Sequence, residues 1–149
     1  MTGSSVSPTD PARSDLMRRV RQKGTKAENQ VAQTLRELGL AYRRNVTSLP
    51  GSPDFANKSR NWAVFVNGCF WHHHEGCARA TIPTRNRAFW TQKFSANRAR
   101  DAAKTRALRS MGFRVVVIWE CEAMKPAVAR RRLGVLETRE QRKRAGGGL

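Results

Sequence analysis

Acidic residues are scarce in this sequence. Among its 149 residues, Asp and Glu together number 11 whereas Lys and Arg number 29, which gives a formal net charge of +18 at pH 7. Such an excess of cations is far larger than solubility requires and indicates a polyanionic partner. Nucleic acid is the polyanion that we expect.

Long apolar runs are also missing. No stretch approaches the roughly 20 residues of a membrane-spanning helix. The Ser- and Pro-rich first residues lack the apolar centre of a signal peptide. A protein of membrane surfaces would share this charge balance, but we expect no membrane partner and an intracellular, nucleic-acid-facing protein.

Cysteines number only three, Cys69, Cys77 and Cys121, and all three histidines form one run at positions 72–74. An odd number of cysteines argues against a secreted disulfide framework and favours metal ligation in a reducing compartment. Thiolates and imidazoles suit a four-coordinate structural Zn²⁺. The spacing leaves open which histidine is the ligand, and the alternative is that three small thiols merely fill core space.

The length fits one domain. Residues 1–14 are small, polar and Pro-rich and predict a disordered leader, residues 15–136 predict a single folded domain, and residues 137–149 predict a solvated basic tail.

Within the domain, hydrophobic periodicity predicts the order helix, three strands, helix, strand, helix. The predicted helices are Thr25–Leu38, with a capping box from Thr25 to Glu28, about Asn86–Met111 and about Pro126–Leu136; the predicted strands are Leu40–Val46, one beginning at Asp54, Trp62–Val66 and Phe113–Trp119. A helix that crosses between two strands of one sheet indicates a mixed α/β fold with helices on both faces of the sheet.

Asp54 is the only acid between Glu37 and Glu75, in a region rich in Lys and Arg. Proteins hold Mg²⁺ by one or two carboxylates together with phosphate oxygens and waters, so this lone carboxylate is a candidate Mg²⁺ ligand. The alternative is a turn-forming Asp that bonds to its own backbone after Pro53.

Four other residues have two interpretations each. His72 is a candidate proton acceptor for an attacking water, because neutral imidazole works near pH 7, or else a zinc ligand. Glu28 is explained by helix capping, but it is also a candidate to hold a metal-bound water opposite Asp54. Phe70 and Trp71 either pack in the core or insert between base pairs as a wedge.

Taken together, these residues resemble the very short patch repair (Vsr) endonucleases, the strand-nicking mismatch enzymes of bacteria. The resemblance covers about residues 15–122 and is carried by Ser48-Leu49-Pro50-Gly51-Ser52-Pro53-Asp54-Phe55, by Gly68-Cys69-Phe70-Trp71-His72-His73-His74, by Phe89-Trp90 with Lys93, Asn97, Arg100 and Asp101, and by Gly112-Phe113-Arg114-Val115 and Trp119-Glu120-Cys121.

The resemblance implies a restriction-endonuclease-like fold, with a mixed central sheet flanked by helices and a structural Zn²⁺. It implies Mg²⁺-dependent nicking of one strand on the 5′ side of the thymine in a T·G mismatch. The implied partner is double-stranded DNA with a mismatch, in the bacterial cytoplasm and associated with the nucleoid. A single-strand nick needs one active site, which permits a monomer, and no repair-protein partner is identified.

By motif position, the resemblance also implies roles for individual residues. Asp54 and the Val66 carbonyl would bind Mg²⁺, and His72 would be the catalytic histidine. The implied zinc ligands are Cys69, His74, Cys77 and Cys121; the implied outer acid is Glu28; the implied DNA-intercalating residues are Phe70, Trp71 and Met17, the last from the other groove.

This sequence departs from the family pattern in two places. Val66-Asn67 stands where the family commonly has Thr-His, and Asn67 can hydrogen-bond a metal-bound water but cannot exchange a proton. The spacing from His74 to Cys77 is one residue longer. One alternative is therefore a zinc-stapled DNA-binding module of the same fold with weak or lost nuclease activity. A small basic RNA- or ribosome-associated protein is another, but charge alone does not explain the carboxylate, histidines and cysteines.

Overall fold

The computed structural model describes residues 26–70, 74, 76–78 and 81–137. The helices of this part are α1 (Lys26–Glu37), α2 (Arg87–Ser110), α3 (Glu120–Ala123) and α4 (Pro126–Gly134), and its strands are β1 (Arg43–Arg44), β2 (Phe55–Asn57), β3 (Trp62–Asn67) and β4 (Arg114–Trp119). None of these helices combines the length and apolarity needed to span a membrane. The predicted leader, the Thr25 end of the capping box and residues 138–149 of the predicted tail lie outside the described residues.

The described strands form one sheet in the order β1-β2-β3-β4. β1 pairs with β2 and β2 with β3 in antiparallel fashion, whereas β3 and β4 run parallel along their full length, from Trp62 opposite Arg114 to Asn67 opposite Trp119. A parallel pair needs a crossover connection, and α2 provides it. The predicted mixed α/β arrangement is confirmed.

The strand predicted over residues 40–46 was too long. Leu40 donates its backbone N–H to the Leu35 carbonyl and so still belongs to the end of α1. Asn45 has a φ of 50°, which interrupts extended backbone on the other side of β1. Only two residues between these limits pair with β2.

Helices cover both faces of the sheet, as expected. On one face α1 and α4 bury a core that includes Leu35, Phe55, Ile118 and Leu133. On the other face α2 contributes Leu108 to a second cluster, whose buried residues are Val46, Leu49, Ala56, Ala63, Phe65, Leu108 and Phe113. β3 is buried from both sides, as its unbroken apolar run predicts.

A further helix, α3, forms a single turn directly after β4 and was not predicted from the sequence. The Glu122 carboxylate caps this turn by accepting the Trp119 backbone N–H at 3.0 Å. Arg132 of α4 donates to both Glu122 oxygens, at 2.8 and 2.7 Å, and to the Val117 carbonyl of β4 at 2.7 Å. One guanidinium therefore ties α3 and α4 to the edge of the sheet.

Replacing Arg132 with Ala should destabilise the fold by about 2 kcal/mol, since hydrogen bonds to charged groups contribute roughly 1.5–3 kcal/mol. Arg130→Ala is the matched control on the same helix. It removes a 2.7 Å pair with Glu37 whose side chains are 51% and 40% exposed, so it should cost under about 1 kcal/mol. Urea denaturation measures the loss of unfolding free energy in both variants. Equal losses would contradict the role of Arg132 in holding α3 and α4 to the sheet.

Candidate active site and metal centre

The parallel pairing of β3 with β4 brings the three cysteines and one histidine together. Cys69 lies two residues after β3, and Cys121 lies in α3 just after β4, so both occupy the same edge of the sheet. The ligand atoms of Cys69, His74, Cys77 and Cys121 all lie within 4.8 Å of one another. His74 is thus the histidine that the described residues bring to the cysteines.

The donor atoms are spaced as a tetrahedral metal site requires. The His74 Nδ1 atom is 3.7 Å from the Cys69 Sγ atom and 3.5 Å from the Cys121 Sγ atom. Metal–sulfur and metal–nitrogen distances of about 2.3 and 2.0–2.1 Å at tetrahedral angles separate the two ligand atoms by about 3.6 Å. Three soft thiols and one imidazole therefore fit a tetrahedral metal ion in both geometry and chemistry.

Burial disfavours a charged thiolate at Cys69 unless a cation compensates it. Desolvation raises the pKa of Cys69 to about 12, and the neighbouring Cys121 side chain adds to this increase. A metal dication between the sulfurs would supply the missing positive charge, since the thiolate is the metal-binding form.

Neighbouring groups hold the ligands in place. The His74 ring stacks on the Trp119 ring, with centroids 4.2 Å apart and planes inclined by 10°. His74 donates its backbone N–H to the Cys69 carbonyl at 2.9 Å, and Glu120 accepts the Cys69 backbone N–H at 3.4 Å. The cluster is therefore anchored to the end of β4 and the start of α3.

Asp54 lies directly before β2 and is only 8% exposed. Its Oδ2 atom accepts the backbone N–H of Val66 in β3 at 2.7 Å. The carboxylate thus accepts a hydrogen bond from a strand residue 12 positions later in the sequence, in addition to lying at a turn. Because the N–H and C=O of one residue in an extended strand point to the same side, the Val66 carbonyl is directed to the Asp54 side of β3.

Asn67, the last residue of β3, has a buried amide that is linked to α2. Its Nδ2 atom donates to the Oδ2 atom of Asp101 at 3.4 Å, and the Lys104 Nζ atom lies 3.8 Å from the Oδ1 atom of Asp101. From the sequence, Asp101 was identified only as part of a motif, and its contact with Asn67 was not predicted. The only sequence signal was Lys104, a cation three residues after Asp101 on the same helix. This spacing does not reveal the contact of Asp101 with Asn67 on another element.

Glu28 is 2% exposed in the first turn of α1. Its Oε1 atom lies 3.9 Å from an Arg44 guanidinium nitrogen, and the same guanidinium lies 5.2 Å from the centre of the Phe55 ring. Arg44 was not predicted from the sequence as the countercharge of Glu28. β1 therefore supplies the cation that accompanies the buried carboxylate.

Phe70 is half-buried between aromatic rings of α2. Its ring meets Trp90 and Phe94 edge-on, with centroids 5.9 and 5.4 Å apart. This packing is the arrangement expected if Phe70 belongs to the hydrophobic core. Three other candidate residues, Met17, Trp71 and His72, lie outside the described residues.

Comparison with known proteins places these features in a family. The family described as DNA mismatch endonuclease Vsr matches residues 8–79. The chain is 42% identical over 124 residues to the type II nicking enzyme V.XorIIP of Xanthomonas oryzae, covering 83% of this chain and 85% of that protein.

Two further relatives agree. The chain is 38% identical over 128 residues to the type II nicking enzyme V.NmeAIP of Neisseria meningitidis, covering 86% and 91% of the two chains. It is 38% identical over 109 residues to the DNA mismatch endonuclease Vsr of Escherichia coli, covering 73% and 69%. This chain positions a buried Asp54 and a cluster of Cys and His residues on one sheet. It belongs to the Vsr family of DNA mismatch endonucleases.

Proposed function

We propose that this endonuclease nicks one DNA strand on the 5′ side of the thymine in T·G mismatches and that it depends on Mg²⁺. Residues 15–136 would form one endonuclease domain of the restriction-endonuclease type, with residues 1–14 and 137–149 as leader and basic tail. It would act as a monomer on nucleoid DNA in the bacterial cytoplasm. The observation that carries the proposal is the buried Asp54 carboxylate, anchored on the Val66 N–H.

Asp54 and the Val66 carbonyl are the groups that would hold Mg²⁺, since hard cations prefer oxygen ligands. The bound ion would supply positive charge for the scissile phosphate. The 2.7 Å bond from the Val66 N–H keeps the Asp54 carboxylate oriented. A preoriented carboxylate does not have to reorganise when DNA binds.

The proton from the attacking water would pass to His72, whose neutral imidazole is a suitable base near pH 7. Asn67 directs its amide nitrogen at Asp101, so its oxygen would accept a hydrogen bond from water without taking a proton. Glu28 would act as the outer acid, with its charge balanced by Arg44. Together these residues would position the water for in-line attack.

Cys69, His74, Cys77 and Cys121 would bind a structural Zn²⁺, supported by donor spacings close to those of a tetrahedral site. This ion would hold the segment that carries Phe70, Trp71 and His72 against the sheet. Phe70 and Trp71 would insert at the mismatch, and Met17 would enter from the other groove.

Asn67 favours one second candidate function. Because an amide replaces the imidazole that the family commonly has here, the chain would on this alternative bind DNA as a zinc-stapled module with weak or lost nuclease activity. Nicking of mismatched duplex with Mg²⁺ separates the two.

Asp54→Asn should reduce nicking by about 100-fold or more, since metal charge stabilisation contributes several kcal/mol and 1.36 kcal/mol is tenfold in rate. DNA binding should be preserved or tighter, because a negative charge facing phosphate is lost. Gel assays of nicking and binding measure both. Glu37→Gln, which neutralises an exposed acid on α1, is the control and should nick normally. An Asp54→Asn enzyme with parental activity would refute the mechanism.

Purification without chelator should yield one zinc ion per chain by elemental analysis. His74→Ala and Cys121→Ser should lose the ion and lower the melting temperature, because metal binding is coupled to folding in structural zinc sites. His73→Ala, one position away, should keep the zinc. Parental protein without zinc, or His73→Ala and His74→Ala proteins with equal zinc content, would contradict the ligand assignment.

Phe70→Ala and Trp71→Ala should each lower the ratio of nicking on mismatched to matched duplex, since a wedge gains most where unstacking costs least. Phe89→Ala is the matched control, because Phe89 also meets the Trp90 ring edge-on, at 5.2 Å. It should cost stability without changing that ratio. A Phe70→Ala protein that melts lower but retains its mismatch preference would establish a core role alone.

A further inference from the structure

An open groove of about 950 Å³ runs along the β1–β2 edge of the sheet. Its walls are the end of the α1–β1 connection, β1 itself, the segment after β1 and the turn after β2. The lining residues are Ala41, Tyr42, Arg43, Arg44, Asn45, Val46, Thr47, Ser48, Ala56, Asn57, Lys58 and Ser59. No Asp or Glu is among them, so the groove is lined only by neutral and cationic side chains.

Two of the three cations in this groove are available for a ligand. Arg44 is already engaged by Glu28 and by the Phe55 ring. Arg43 and Lys58 are exposed, and within the part of the chain that the structure describes neither pairs with an acid. An unbalanced pair of cations in a groove without acids favours an anionic ligand.

The groove adjoins the segment that carries Asp54. Asn45 donates its backbone N–H to the Asp54 carbonyl at 2.9 Å, and Val46 donates to the Pro53 carbonyl at 3.0 Å. Two backbone hydrogen bonds therefore connect the groove wall to the residue proposed to bind Mg²⁺. A polyanion that reaches Asp54 passes next to Arg43 and Lys58 if it continues along this edge.

The chemistry of the lining suits phosphates better than bases. The one aromatic residue, Tyr42, packs its ring edge-on against Phe55 and accepts a hydrogen bond from Arg36 through its hydroxyl at 2.8 Å, so its ring is committed to the fold. Thr47 and Ser48 contribute exposed hydroxyls, which together with cations are typical ligands of DNA phosphates. A stacking platform for unpaired bases is not provided by the described lining.

We infer that this groove binds the phosphodiester backbone of the duplex beside the nicked position, with Arg43 and Lys58 as phosphate ligands. The inference rests on the proposed function, because it assigns a surface to the DNA next to Asp54. Phosphate contacts set the position of the protein on the duplex but read no sequence. Arg43 and Lys58 therefore increase affinity and fix the position of the DNA backbone on the protein. Other residues select the mismatch.

The test compares the salt dependence of DNA binding for Arg43→Ala/Lys58→Ala with that of the parent. Each lost phosphate contact reduces the magnitude of the negative slope of log K against log salt by about 0.9, so in the double variant this magnitude should be smaller by about 1.8. Its affinity should fall by the same factor on matched and mismatched duplexes. Arg43→Lys/Lys58→Arg, which keeps both charges, should retain the parental slope.

The matched control is Arg60→Ala/Arg131→Ala, which also removes two charges. Both residues are exposed, Arg60 lies two positions from Lys58 without lining the groove, and Arg131 lies on α4. This control should keep the parental slope. If it loses as much as the groove variant, net charge rather than the groove sets affinity, and the inference is overturned.

Duplexes with neutral methylphosphonates locate the contact. In the parent, neutralising the bound phosphates beside the nick should weaken binding, whereas in Arg43→Ala/Lys58→Ala the same duplexes should show no further loss. Parental sensitivity in the double variant would overturn the inference. Failure of the parent to nick any mismatched duplex would instead refute the proposed function, and the slopes would still decide the groove.

Discussion

The parallel pairing of β3 with β4 is the contact on which the rest of this structure depends. β3 carries Val66 and Asn67 at its end and Cys69 just beyond, while β4 leads directly into Cys121. Because the two strands end at the same edge, Cys69 and Cys121, which are 52 positions apart in sequence, become neighbours. Without this pairing the ligand cluster would lack one of its thiols.

Both halves of the site therefore share one rigid support. The Asp54 carboxylate bonds to the Val66 N–H, and the Cys69 N–H bonds to Glu120 of α3. β3 is buried on both faces between two hydrophobic clusters. A strand packed on both sides moves little, so the acidic group and the cysteine cluster keep their positions relative to each other.

Several of the described acids are paired with cations. The chain has few acids, and two of those described near the site, Glu28 and Asp101, lie beside the cations Arg44 and Lys104. Such pairs offset the cost of carboxylates in or near the protein interior. Arg43 and Lys58 are exposed cations without such a partner among the described residues, which leaves them to face the polyanion.

Local periodicity and residue type were enough to predict the three longer helices, the four strands with their apolar central member, and the types of chemical group at the site. The limits of β1, the single turn of α3 and the lock formed by Arg132 and Glu122 were not predictable from the sequence. They depend on hydrogen bonds between distant elements. The contacts of Arg44 with Glu28 and of Asp101 with Asn67 likewise became apparent only in the folded protein, since adjacency in sequence does not specify which side chains the sheet and helices bring within bonding distance.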